Sequence, residues 1–229
     1  MNDLDFDLND LDKPFSLELF DSDTTAEIEA KQRATAARTR SRIEARRAKS
    51  ETVLAEILPA TIDDGDAWHV LSSGDVDSLS YLAHLLKTQR MDYVMFSTWC
   101  MSNEDVRCIG EWLKTGAIGM LDAYVGEIFP NQYAEEHQTL CETVRHHGGR
   151  VCVFRNHSKI YCCRSGESHL VIESSANINT NPRTENTIIT ADRGLYHHHL
   201  TYFNGCRSFN RDFDDWKPSN LQKQPEFPG

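Results

Sequence analysis

A chain of 229 residues with 39% hydrophobic residues and a formal net charge of −11 can bury one medium domain, with polar tails diluting the core-forming residues. No window approaches the ~20 apolar residues that span a bilayer as a helix, and Met1-Asn2-Asp3-Leu4-Asp5 is the opposite of a basic leader, so a soluble, cytoplasmic protein is expected. Seven cysteines, an odd number without a Cys-x-x-Cys pair, read as reduced and largely buried thiols rather than a zinc site.

Residues 1–25 alternate acids with Leu and Phe, and residues 1–30 hold ten Asp and Glu against Lys13 alone. This acidic arm cannot bury enough apolar surface to fold by itself and is expected to be disordered. It serves either as a solubilising tail or as a segment that docks on a protein partner or masks a basic surface. Residues 26–58 contain no Gly or Pro and predict one long Ala/Arg-rich helix that stops before Pro59. Within it, residues 31–49 hold eight Lys and Arg against Glu44, and Arg38, Arg42 and Arg46 recur at four-residue spacing on one face. Such a stripe either follows a phosphate backbone or solvates a helix whose apolar side packs on the domain.

The folded unit is expected over residues 67–209. Trp68 to Leu71 predicts a strand, Ser73-Gly74-Asp75 a turn and cap, and Val76 to Lys87 an amphipathic helix. Tyr93 to Thr98 is the next strand. Ser102 and Asp105 form a capping-box pattern for a helix through Lys114, with Gly116 as its stop. A strand over Ile118 to Val125, a helix over Asn131 to His147 and a strand over Val151 to Phe154 continue the alternation, which reads as α/β with a largely parallel start to the sheet. Lys159 to Cys163 and His169 to Glu173 predict a hairpin, Thr187 to Thr190 another strand, and residues 193–209 a closing helix. Residues 210–229, with Pro218, Pro225 and Pro228, predict a tail.

Chemistry concentrates late in the chain, in His157-Ser158-Lys159, Ser174-Ser175-Ala176-Asn177 and Glu185-Asn186. An imidazole can attack phosphorus, an ammonium and a carboxamide can hold phosphoryl oxygens, and a carboxylate can fix the imidazole tautomer. At a strand head and a strand end, spacings of two would send His157 with Lys159, and Ser175 with Asn177, to shared faces. His197-His198-His199 reads as an exposed helix segment rather than a metal site, since consecutive helical residues diverge.

The ordered set resembles the phospholipase D-like superfamily, whose pattern is His-x-Lys, four residues, Asp, then Gly-Ser-x-Asn and a Glu or Gln. His157, Lys159, Ser175, Asn177 and Glu185 match it, and the strand-helix order over roughly residues 67–205 resembles the family's small bacterial endonucleases. Arg164 stands where the Asp would fall, Ser174 replaces the Gly, and the stretch from Lys159 to Asn177 is longer than usual. The resemblance implies a mixed sheet flanked by helices, preceded here by the basic helix and acidic arm. It implies catalytic His157, Lys159, Asn177 and Glu185, with Ser175 as a lesser donor, while the basic stripe of Arg38, Arg42 and Arg46 is expected to add substrate contacts. It further implies no metal or other cofactor, a homodimer because each chain carries one motif, and a nucleic-acid substrate, DNA rather than RNA. In the implied reaction one His157 forms a phosphohistidine, its twin protonates the leaving oxygen, and Glu185 orients the nucleophile. The alternative is a catalytically silent nucleic-acid-binding or regulatory protein of the same fold.

Overall fold

The computed structural model describes residues 47–178 and 183–209, within one of the chain's two units. The acidic arm, the first part of the expected basic helix with Arg38, Arg42 and Arg46, and the expected tail over 210–229 lie outside the described residues. Helix α1 covers residues 47–57. Then come β1 (Ala67–Ser72), α2 (Ser78–Leu86), β2 (Tyr93–Thr98), α3 (Asn103–Thr115), β3 (Leu121–Gly126), α4 (Phe129–Gln132), α5 (Ala134–His146) and β4 (Arg150–Phe154). The series closes with β5 (Ile160–Ser165), β6 (Ser168–Ser174), β7 (Glu185–Ala191) and α6 (Arg193–Asn204).

These strands form one mixed sheet in the order β1-β7-β6-β5-β2-β3-β4, flanked by helices, the α/β architecture the sequence led us to expect. Strands β2, β3 and β4 are parallel, and β5 turns the direction by pairing antiparallel with β2. β6, β7 and β1 continue antiparallel, so β1 lies at the far edge of the sheet and takes no part in its parallel half. On one face, Leu79 and Leu82 of α2, Val106 and Ile109 of α3, and Leu140 and Val144 of α5 bury Val94, Phe96, Val125 and Tyr161. Leu54 of α1 joins this core with no exposed surface. On the other face, Tyr196, Leu200 and Phe203 of α6 cover Tyr93, Met95, Tyr124 and Cys162. With helices on both faces, every residue of β2 and β3 is buried, which is why these strands read as apolar runs rather than alternations.

Local chemistry set several boundaries differently from the sequence reading. Asp77, not the Ser73-Gly74-Asp75 turn, caps α2, its carboxylate accepting from Ser80 N–H at 2.9 Å. The expected helix over Asn131 to His147 breaks at Tyr133 (φ −132°, ψ 50°) into α4 and α5, with Pro130 in the first turn of α4 where its missing N–H costs nothing. Ile118 forms an isolated bridge with Met91 instead of opening β3. Helix α6 ends at Asn204 rather than 209, and the chain beyond it runs along β4: Val153 N–H donates to Ser208 Oγ (3.0 Å) and Phe209 N–H to Val153 O (2.7 Å). That contact covers the sheet edge that β4 would otherwise present.

The capping box at Ser102 and Asp105 and the left-handed Gly116 (φ 75°) stand where the sequence put them. All seven cysteines are free and five are buried. Among the described residues no helix is long and apolar enough to cross a membrane.

Candidate active site

The ends of β2, β3 and β4, the starts of β5 and β7, and the end of β6 share one edge of the sheet, as their pairing directions require. That edge lies beyond the carboxyl ends of the parallel strands, where ligand sites of open α/β sheets collect. His157 and Lys159 lie in the irregular segment before β5, and Ser175 to Asn177 in the one after β6. The strand alternation expected to align their side chains therefore does not operate.

A buried carboxamide holds the first segment in its place. Asn156 Nδ2 donates to Thr98 O (3.1 Å) and Tyr124 O (3.0 Å), while its Oδ1 accepts from Ser158 N–H (3.0 Å) and the Ser158 hydroxyl (2.7 Å). Ser97 Oγ joins at 2.5 Å from Ser158 Oγ. The turn carrying His157 is thus pinned to the ends of β2 and β3. Gly126 permits the close approach: a Cβ there would stand 2.6 Å from Trp99 Cδ1 and 3.2 Å from Asn156 O.

The turn leaves His157 exposed and Lys159 only 6% exposed. Lys159 Nζ lies 3.0 Å from His157 Nδ1 and 3.4 Å from Nε2, and also donates to His157 O. The Trp99 ring lies against the imidazole, centroids 5.7 Å apart. Burial lowers the Lys159 pKa, while Cys100 and the Glu185 carboxylate favour the charged form.

Asn177 reaches this group from the far segment, its Oδ1 accepting from Trp99 N–H at 3.4 Å. Ile178 N–H donates to Thr98 Oγ1 (3.2 Å), which holds the segment beside β2. Ser175 turns out to solvent, donates to Glu185, and accepts from Asn186 N–H at 3.1 Å. The structure therefore brings His157, Lys159 and Asn177 together around Trp99, and it places Ser175 with Glu185 at the start of β7. Arg164 is at the opposite end of β5, 4.0 Å from Asp92.

Sequence reasoning passed over Asn156, Cys100 and Gly126. Adjacency to His157 could have drawn attention to Asn156. Nothing in sequence spacing joins Ser97 or Gly126 to residues some 30 to 60 positions later, since only sheet pairing makes them neighbours. Among the described residues, no three His, Cys, Asp or Glu side chains converge in a way that could hold a metal ion.

No protein-family model and no curated protein matches the chain. Solved structures similar to it include a polyphosphate kinase from Porphyromonas gingivalis, at 16% identity and TM-score 0.47, over 64% of this chain and 27% of that one. Another is a phosphatidylserine synthase from Haemophilus influenzae Rd KW20, at 12% identity and TM-score 0.45, over 60% of this chain and 37% of that one.

Proposed function

We propose that this chain is a phosphodiesterase that cleaves nucleic acid, DNA in preference to RNA, without a metal, through a phosphohistidine on His157 at a site completed by a second copy. The observation that carries the reading is the buried Lys159 ammonium 3.0 Å from the exposed His157 imidazole, with Asn177 joined to the same cluster through Trp99. An ammonium has no lone pair, so Lys159 donates and the imidazole accepts. In this resting arrangement Lys159 covers the ring lone pair that would attack phosphorus. An incoming phosphodiester draws Nζ to its own oxygens, which uncovers the nucleophile and cancels charge in the same movement.

The ring nitrogen then bonds to phosphorus as the ester P–O bond breaks. The leaving oxygen takes a proton from His157 of the partner subunit, and that imidazole later removes a proton from the water that splits the phosphohistidine. Lys159 and Asn177 steady the pentacoordinate oxygens. Glu185 supports Lys159 through charge and fixes Ser175 by hydrogen bond. Arg38, Arg42 and Arg46 would add sequence-independent phosphate contacts. The acidic arm is a docking segment for a protein partner in this reading.

The test is cleavage of supercoiled plasmid and single-stranded DNA in excess EDTA by wild type and His157→Ala at matched concentration. Cutting by wild type alone is expected. One observation favours a second reading, a nucleic-acid-binding module without turnover: Glu185, the carboxylate assigned by resemblance to orient His157, accepts from Ser175. Salt-sensitive binding with no cleavage by either protein would select that reading.

A further inference from the structure

His157 borders a second feature that the phosphate chemistry does not use. A cleft of 380 Å³ runs from His157 beneath α6 between Phe154, Ile160, Tyr202 and Phe203. Phe203 is buried at 1% exposure and forms the floor, whereas Tyr202 is 64% exposed and forms a rim. Their rings meet edge to face, centroids 5.3 Å apart at 89°. Phe154 meets Phe203 at 6.4 Å and 76°. Polar groups line the rest: Arg155, His198 and His199, the last held by Glu173 at 3.2 Å.

We propose that this cleft seats one nucleobase of the substrate, next to the phosphate bound at His157. The inference rests on the phosphodiesterase reading and names its substrate more closely. Aromatic walls suit a flat ring, because stacking works on any base face. The Arg155 guanidinium and the His198 and His199 rings suit a base edge and its phosphate and are poorly matched to an acyl chain. The volume, at the small end of ligand sites, suits a single nucleotide. A base can enter only after leaving its stack, so the enzyme takes single-stranded or locally opened nucleic acid rather than intact duplex.

Binding of thymidine 5′-monophosphate and of inorganic phosphate to the full-length protein, by calorimetry, tests this with wild type, Tyr202→Ala and Tyr202→Phe. The expected result is nucleotide binding at least about tenfold tighter than phosphate, most of that margin lost in Tyr202→Ala and kept in Tyr202→Phe. Tyr202 is on the surface, so thermal melting should match wild type. Equal affinity for the two ligands, no binding of either, or equal loss of both in Tyr202→Ala would overturn the proposal. So would binding to phosphatidylglycerol vesicles in preference to the nucleotide. Cleavage in EDTA is scored separately: nucleotide preference without any cleavage sinks the enzyme reading and leaves the cleft standing, whereas cleavage without nucleotide preference does the reverse.

Discussion

A cation stands at each end of strand β5, Lys159 just before it and Arg164 next to its last residue, and the two are used differently. At its start Lys159 is buried, and its hydrogen-bond acceptors are an imidazole and a backbone carbonyl. At its end Arg164 lies 4.0 Å from the Asp92 carboxylate. Asp92 in turn accepts from Gly166 N–H at 2.8 Å and pairs with Arg90 at 2.6 Å, so this end is tied into the hairpin it supports. A cation hydrogen-bonded to neutral acceptors can be drawn to an incoming phosphate, while a cation matched to a carboxylate is committed to the fold. Arg164 is also remote from the site edge, at the opposite end of β5.

The largest effect expected at the site end is loss of cleavage in His157→Ala by at least about a thousandfold, with an unchanged melting temperature because the side chain is exposed. Equal cleavage by the variant would remove the distinction between the two ends. The support beneath the site should be next. Asn156→Ala leaves two backbone carbonyls and the Ser158 N–H without their buried partner, costing about 2–3 kcal/mol, and it releases the turn that carries His157. Chemical denaturation measures the first part and cleavage rate the second. Full stability in the variant would show that the turn is held by something else.

A smaller cost, about 1–2 kcal/mol, is expected for Gly126→Ala, since the new Cβ meets Trp99 and the Asn156 carbonyl. Denaturant midpoints with a paired Trp99 fluorescence spectrum check it. An unshifted spectrum would mean that Trp99 does not depend on this contact.

The alternating strands and helices, the Ser102 cap and the buried cysteines could be read from sequence because each is a local pattern or a composition. The far-edge position of β1 could not, since antiparallel pairing with β7 joins residues 67–72 to 185–190 with no local signal. At the site the residue types were legible, as each carries its chemistry with it. The supposed strand alternation failed because His157, Lys159, Ser175 and Asn177 all lie off the strands, where Asn156 and Trp99 rather than pleating set direction. The pairing of Glu185 with Ser175 was illegible for the same reason.

Acid should weaken the packing of α6 on the sheet. His169, His197 and His199 all have pKa values lowered by burial; Glu173 opposes the shift at His199 and Glu167 at His169, while His198, Arg193 and Arg164 reinforce it. The unfolded rings titrate near ~6.5. Between that value and the lower folded ones the unfolded state binds more protons, so stability rises with pH across the window and falls as the pH drops below about 6.5. Melting temperatures from pH 7.5 to 5 check the direction, and His169→Phe should flatten the slope by about a third. An unchanged profile in that variant would exclude His169 as a contributor.

The smallest effect is expected from Arg164→Ala. Its ion pair with Asp92 is partly exposed and long at 4.0 Å, so the loss should be about 0.5 kcal/mol, and cleavage should stay at the wild-type rate. The inverse exchange sharpens the contrast. Arg164→Asp sets a second carboxylate against Asp92, so like charges meet in the hairpin and stability falls further than in Arg164→Ala. If that variant instead gained cleavage activity, the far end would be coupled to His157, and the separation of the two ends of β5 would have to be abandoned.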